Sequence, residues 1–330
     1  MSQALLQIEN LKTVFQNTKS AITVVDDISF SMNKGETLAL VGESGCGKSM
    51  TSLSIMGLLP GTGKIAQGKI MFEGNDLTKK SVEDISKIRG NKIAMIFQEP
   101  MTSLNPVLKI GDQMTEGLIL HHKLSKKEAE ARAIERLNLV GFARAADIMN
   151  EYPHQLSGGM RQRVMIAMAM STDPQLLIAD EPTTALDVTI QAQVLELMRD
   201  VKAEFETSIL LITHDLGVVA EMADRVVVMY AGKVVEEASV FDVFEKSSHP
   251  YTEGLLKSVP NLEADQTRLY SIRGNVPTPE EFPIGCRFAP RCDKAMDHCF
   301  DHAPDLYRIG DRHQVRCFLY HPEKGTFSHE

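Results

Sequence analysis

The chain has 330 residues, 43% hydrophobic and 24% charged, which suits a soluble globular protein of two domains, or one large domain with an appendage. Its net charge of −9 argues against a nucleic-acid binder, and no apolar run approaches the ~20 residues of a membrane span. The opening MSQALLQIENLK lacks a basic stretch followed by an apolar one, so no signal peptide and a cytoplasmic protein are expected; in that compartment the clustered cysteines are expected to be metal ligands or free thiols.

In chain order, the apolar run Thr37–Val41 predicts a buried strand. It leads into Gly42, four residues, then Gly47, Lys48 and Ser49, the pattern G-x-x-x-x-G-K-[ST] of a phosphate-binding loop. Glycines let the backbone curl so that N–H groups face phosphate oxygens. Lys48 supplies positive charge to the β- and γ-phosphates, and the Ser49 hydroxyl suits Mg²⁺. Residues 50–59 predict a helix whose N-terminus faces the same anion. Cys46, inside the loop, is read as a spectator.

A second strand over 92–98 ends at Gln98, placed to touch Mg²⁺ or water. Residues 99–170 read as a helical lobe inserted into the sheet domain. Within it Ser125 and Glu128 form a capping-box pair, Gly141 can end the helix, and Ala133, Leu137 and Val140 recur at core spacing. Then LSGGMRQR, at 156–163, sets Ser157, Gly158 and Gly159 before an expected helix start, a second device for anions. The run LLIADE at 176–181 brings Asp180, suited to Mg²⁺, and Glu181, suited to take a proton from an attacking water, to a strand end. A further strand, SILLITHD at 208–215, carries His214 at its end, within reach of a γ-phosphate if it lies beside the first strand. Strands separated by helices predict a mostly parallel sheet with ligands at the C-terminal strand ends.

These motifs, in this order over residues 5–245, resemble the ATP-binding subunits of ABC transporters. The resemblance implies an α/β P-loop NTPase core: a mostly parallel sheet, antiparallel N-terminal strands, an inserted helical subdomain at about 99–170 and a small Cys-rich extension. It divides the chain into an ATP-binding domain, 1–245, and an extension, 246–330. It implies ATP and Mg²⁺ as cofactors, with Ser49, Gln98 and Asp180 on the metal and Glu181, His214 and Gln98 as catalytic residues. Nucleotide contacts are implied for Gly42, Ser44, Gly45, Cys46, Gly47, Lys48, Ser49, Met50 and Asp180, with Phe15 stacking on adenine. Ser157, Gly158, Gly159 and Asp187, the last within ALD at 185–187, would serve the nucleotide of a partner in a head-to-tail pair. The segment MTSLNP at 101–106 is the candidate contact with membrane subunits.

The stretch from 246 to 260 marks a boundary before a proline-punctuated tail. There HPYT, at 249–252, and the spacing C-x5-C-x6-C-x17-C of Cys286, Cys292, Cys299 and Cys317 resemble the oligopeptide/dipeptide and nickel branch of the family. Spacing alone leaves metal and free thiols equally open, since the close pairs of structural zinc sites are absent. The resemblance implies an iron–sulfur cluster, [4Fe–4S], with zinc second, in a structural role. Arg287, Arg291 and Arg316 flank the cysteines and are expected to offset thiolate charge; His298, His302, His313 and His321 are alternative ligands. The expected function is an ATPase that powers import of di- or oligopeptides, peripheral on the cytoplasmic face of the cell membrane. Two transmembrane permease subunits, a homologous second ATPase and an extracytoplasmic solute-binding protein are the expected partners, with no nucleic acid. The alternatives are the same motor serving nickel or another small solute, and a soluble ABC ATPase outside transport.

Overall fold

Strands form wherever apolar residues alternate or run unbroken between turn residues. The computed structural model describes residues 4–16, 21–98, 103–184, 186–259 and 270–322. Its strands are β1 (Leu6–Gln16), β2 (Ala21–Met32), β3 (Thr37–Val41), β4 (Gly63–Phe72), β5 (Asn75–Asp76), β6 (Ile93–Ile96), β7 (Leu176–Asp180), β8 (Ser208–Thr213), β9 (Arg225–Tyr230), β10 (Lys233–Ser239), β11 (Tyr307–Gly310) and β12 (His313–Val315). The longer helices are α1 (Lys48–Met56), α2 (Ile110–His122), α3 (Lys126–Leu139), α4 (Gly158–Ala169), α5 (Val188–Phe205), α6 (Leu216–Met222), α7 (Val240–Lys246) and α8 (Pro250–Lys257). The described residues divide into two units.

The first unit takes residues up to 32, 38–78 and 213 onward. Its N-terminal strands form an antiparallel sheet in the order β2-β1-β4-β5. Leu6, Ile8 and Leu11 of β1 are buried. The shift from Ile8 to Leu11 in their spacing is a bulge, where Asn10 and Asp27 take left-handed backbones and the Asn10 amide donates to the Asp27 carboxylate at 2.9 Å. Elsewhere in this unit β3 pairs parallel with β9, β9 pairs antiparallel with β10, and β12 and β11 continue beyond β10, again antiparallel. The Val-rich β9 is buried along its whole length. An aromatic group of Tyr230, Tyr251 and Phe288 fills the core at ring separations of 4.7–5.4 Å. Phe288 and Tyr251, both from the tail, thus share one apolar cluster with Ala39 and Val41 of β3. Among the described residues, a second small buried group of the tail is Ala289, Cys299 and Phe318, too little to hold a fold unaided.

The second unit takes residues 33–37 and 79–212. In it β6, β7 and β8 run parallel, with Ile178 beside both Met95 and Leu210. Both β7 and β8 are buried throughout, as a sheet covered on two faces requires. The helical lobe carries the expected capping box at Ser125 and Glu128. Gly141 follows the helix end with a φ of 87°, and Ala133, Leu137 and Val140 are buried. Arg132 and Arg136 of α3 both grip Asp173 ahead of β7, at 2.5 and 2.8 Å. The strand ends fall slightly short of expectation: Gln98, Glu181 and His214 lie just beyond β6, β7 and β8.

Candidate functional site

In the first unit the phosphate loop follows the buried β3. Gly42 adopts a φ of 150°, and a Cβ there would stand 2.2 Å from the Met229 carbonyl oxygen. No other residue lets the loop pass so close to β9. Gly45 and Gly47 also take positive φ, at 82° and 104°. Helix α1 then begins at Lys48 with no side chain capping its N-terminus and no acidic residue in its first turn. Its leading N–H groups are therefore suited to an anion, reinforced by the helix dipole. Lys48 is buried and folds back over the loop, its Nζ donating to the carbonyls of Gly42 (2.6 Å) and Glu43 (3.1 Å).

Ser44 and Gly45 are exposed, while Ser49 and Met50 are half-buried. Cys46 is buried, its Sγ 3.8 Å from Lys48 Nζ, and its carbonyl accepts the Gly232 N–H at 2.9 Å. Burial pushes its thiol up, with Lys48 partly opposing. Phe15 is half-buried on β1, opposite Gly63, whose missing Cβ makes room for the ring. His214 is exposed after β8, and the next residue, Asp215, caps α6 by accepting the N–H of Gly217 at 2.8 Å.

The second unit holds the other predicted residues. Asp180 is buried at the end of β7. Glu181 follows in a left-handed backbone with a φ of 49°, its N–H donating to the Ile212 carbonyl at 2.8 Å. That turn aims its carboxylate at two donors: the Gln98 amide at 3.0 Å and the Thr184 hydroxyl at 2.8 Å. Gln98 and Glu181, far apart in sequence, thus meet. A carboxylate so fixed is a base with a defined direction. Ser157 caps α4 by accepting the Met160 N–H at 3.3 Å, and both it and Gly158 are exposed. Gly159 lies against Ile190, leaving 3.0 Å for a Cβ. Asp187 is exposed and caps α5 through Ile190 N–H at 3.0 Å; Ala185 of the same motif lies outside the described residues.

Sequence reasoning missed Gln162 of α4, whose amide donates to the Pro182 carbonyl at 2.6 Å. It ties the SGG helix to the turn that carries Glu181. This unit also contains a cavity of about 300 Å³ lined by Met95, Phe97, Met114, Leu120, Met165 and Met168 among others. Ser103 of the MTSLNP segment borders it, while Met101 and Thr102 lie outside the described residues.

The tail departs from expectation in its charges. Arg287 binds the Asp26 carboxylate and the Ala231 carbonyl, and Arg291 binds Glu43 of the phosphate loop at 2.8 and 3.0 Å. Neither guanidinium is spent on the cysteines beside it in sequence. Arg316 donates to the carbonyls of Val234 and Pro304. His313 is engaged by Glu236 at 2.9 Å, and His298 stacks on His302.

All four tail cysteines are free and border one small cavity. Yet among the described residues no three His, Cys, Asp or Glu side chains converge to hold a metal ion. Burial pushes the Cys292 thiol up to about 11 and the Cys317 thiol to about 12, keeping both protonated. The donor chemistry suits a soft metal centre; the placement of the thiols does not form one.

Comparison with known proteins gives two family matches. Residues 25–184 match the ABC transporter family, and residues 235–299 match the oligopeptide/dipeptide transporter C-terminal region. The chain is 62% identical to the oligopeptide transport ATP-binding protein AppD of Bacillus subtilis, over 97% of this chain and 98% of that one. It is 49% identical to the dipeptide transport ATP-binding protein DppD of the same organism, over 96% and 95%. Among solved structures it is similar to a dimeric, post-hydrolysis state of the ATP-binding cassette MJ0796 bound to ADP and Pi. That likeness has a TM-score of 0.64 and 26% identity, covering 71% of this chain and 98% of that one.

Proposed function

The chain belongs to the ATP-binding subunits of oligopeptide and dipeptide ABC transporters, and on that footing we propose that it hydrolyses ATP to power peptide import. The observation that carries the reading is Glu181, held at a strand end by Gln98 and Thr184 and following Asp180 in sequence. Glu181 takes the proton of the attacking water. Mg²⁺, when bound, neutralises phosphate charge; Ser49, Asp180 and Gln98 would hold it. Lys48 and the first turn of α1 receive the phosphates, Phe15 and the loop residues Ser44 to Met50 border the nucleotide, and His214 attends the γ-phosphate.

Two phosphate devices on one chain call for a second subunit. The segment Ser157–Gly159 and Asp187 serve the nucleotide of a homologous ATPase closed head to tail on this one. ATP bridges the pair, and hydrolysis removes the bridge. No helix among the described residues is long and apolar enough to cross a membrane. By its family, the translocation path is assigned to two permease subunits, fed by an extracytoplasmic solute-binding protein. The methionine-rich cavity beside Gln98, with Phe97 and Leu120 exposed at its rim, suits an apolar permease helix and would place this subunit on the cytoplasmic face of the membrane.

Glu181→Gln keeps the shape and both hydrogen-bond partners of the base but cannot take a proton. Turnover should fall by ~10²-fold or more while ATP affinity persists; wild-type turnover would refute the assignment. Uptake of labelled dipeptides and of nickel by the reconstituted transporter separates peptide from metal cargo.

The four cysteines are the proposed ligands of an iron–sulfur cluster, [4Fe–4S] before zinc. Their shared cavity supports this; their unconverged thiols do not, and no step of ATP hydrolysis passes through them.

A further inference from the structure

We propose that Tyr251 and Arg291 are positioning residues for the phosphate loop, so that the C-terminal region sets the affinity for ATP. This rests on the ATPase reading above and adds to it a control point that lies within the first unit. Glu43, the residue after Gly42, is a carboxylate placed in a loop built for polyphosphate. Left unpaired, it would repel the ligand. Arg291, whose side chain is only 6% exposed, closes on it bidentately at 2.8 and 3.0 Å.

The arginine is itself fixed. Its Nε donates to the Arg273 carbonyl at 2.7 Å, it donates again to the Gly274 carbonyl at 3.2 Å, and it lies over the Tyr230 ring at 5.6 Å. The backbone of Glu43 is held separately. Its N–H donates at 2.8 Å to the hydroxyl of Tyr251, which is fully buried. Tyr251 is set in turn by His249, whose Nδ1 accepts the Tyr251 N–H at 3.0 Å at the start of α8. Side chain and main chain of one loop residue are thus both gripped by the tail, one grip neutralising charge and the other fixing direction. Burial, with Cys46 and Glu43 nearby, pushes the Tyr251 hydroxyl above its ordinary range and keeps it neutral.

The test uses the full-length protein, titrated with a fluorescent ATP analogue and Mg²⁺ and assayed for ATPase activity. Arg291→Met leaves Glu43 charged and unpaired, and should weaken nucleotide binding about tenfold, raising KM for ATP with little change in kcat. The double variant Glu43→Gln/Arg291→Met removes the orphaned charge as well, and should recover binding to within about threefold of wild type. Tyr251→Phe keeps the ring but drops the hydroxyl acceptor, and should weaken binding about fivefold; it stands as the second arm if Arg291→Met does not fold. Mere packing by the tail predicts no recovery in the double variant, and that result overturns the proposal. So does wild-type affinity in both Arg291→Met and Tyr251→Phe. A wild-type protein that fails to bind MgATP removes the ATPase reading itself, which the unsubstituted control detects separately.

Discussion

His249 should make the protein acid-sensitive below about pH 6.5. It is buried, caps α8 through Nδ1, and lies beside Glu236, which accepts the N–H groups of Ser248 (2.7 Å) and His249 (3.0 Å). Burial lowers its pKa to about 4, with the attraction of Glu236 only partly opposing. In the unfolded chain the value is about 6.5. Above that pH both states are neutral and the residue contributes no slope. Below it the unfolded chain binds a proton that the folded one refuses until about pH 4, so stability falls as pH drops. The full difference is about 3 kcal/mol, and about 2 kcal/mol is lost by pH 5. That is a large share of the 5–15 kcal/mol typical of a domain. Burial works to raise the Glu236 carboxyl, but hydrogen bonds from His313, Thr252 and the two amides outweigh it and hold it below its ordinary value. Its stabilisation is complete above about pH 4.3 and is lost only in stronger acid, so of this pair only the histidine titrates between pH 6.5 and 5. The perturbation is His249→Asn, which retains a capping oxygen and cannot titrate there. Urea-unfolding midpoints measured from pH 7.5 to 5 should show a loss smaller by about 2 kcal/mol in the variant. Equal slopes for the two proteins would sink the argument.

Two further outcomes are expected. Gly42→Ala should abolish nucleotide binding, because its Cβ would stand 2.2 Å from the Met229 carbonyl at a φ of 150°; retained binding of the fluorescent analogue would contradict this. If the four cysteines close on the proposed cluster, protein purified anaerobically carries iron and acid-labile sulfide, lost together in Cys292→Ser, whereas a colourless protein with stoichiometric zinc excludes the cluster.

The parts of the site that were legible in the sequence are those written in contiguous residues. The glycines and Lys48 of the phosphate loop, the cap at Ser157 and the box at Ser125 and Glu128 each depend on neighbours within a turn or two. What stayed hidden was pairing at a distance. Arg287 and Arg291 flank cysteines in sequence, which suggested a role in balancing thiolate charge, yet they reach Asp26 and Glu43, 261 and 248 residues away. No spacing rule carries that information. The hairpin of β11 and β12 was also invisible. Its turn at Asp311–Arg312 puts Arg312 at a φ of 57°, where a turn signal would show glycine or asparagine. The strand ends alone place Gln98 to touch Mg²⁺ or water and Glu181 to take a proton, but their mutual hydrogen bond requires the parallel pairing of β6 with β7.

The distance between Glu43 and its partners has a consequence during synthesis. At roughly 5–20 residues per second, Arg291 leaves the ribosome about 12–50 s after the loop it secures. Throughout that interval a nascent chain carries a complete nucleotide motif with an unanswered acid in its midst. A chain cut short before residue 251 lacks both grips on Glu43 and, on the proposal above, should bind ATP more weakly than the full-length protein.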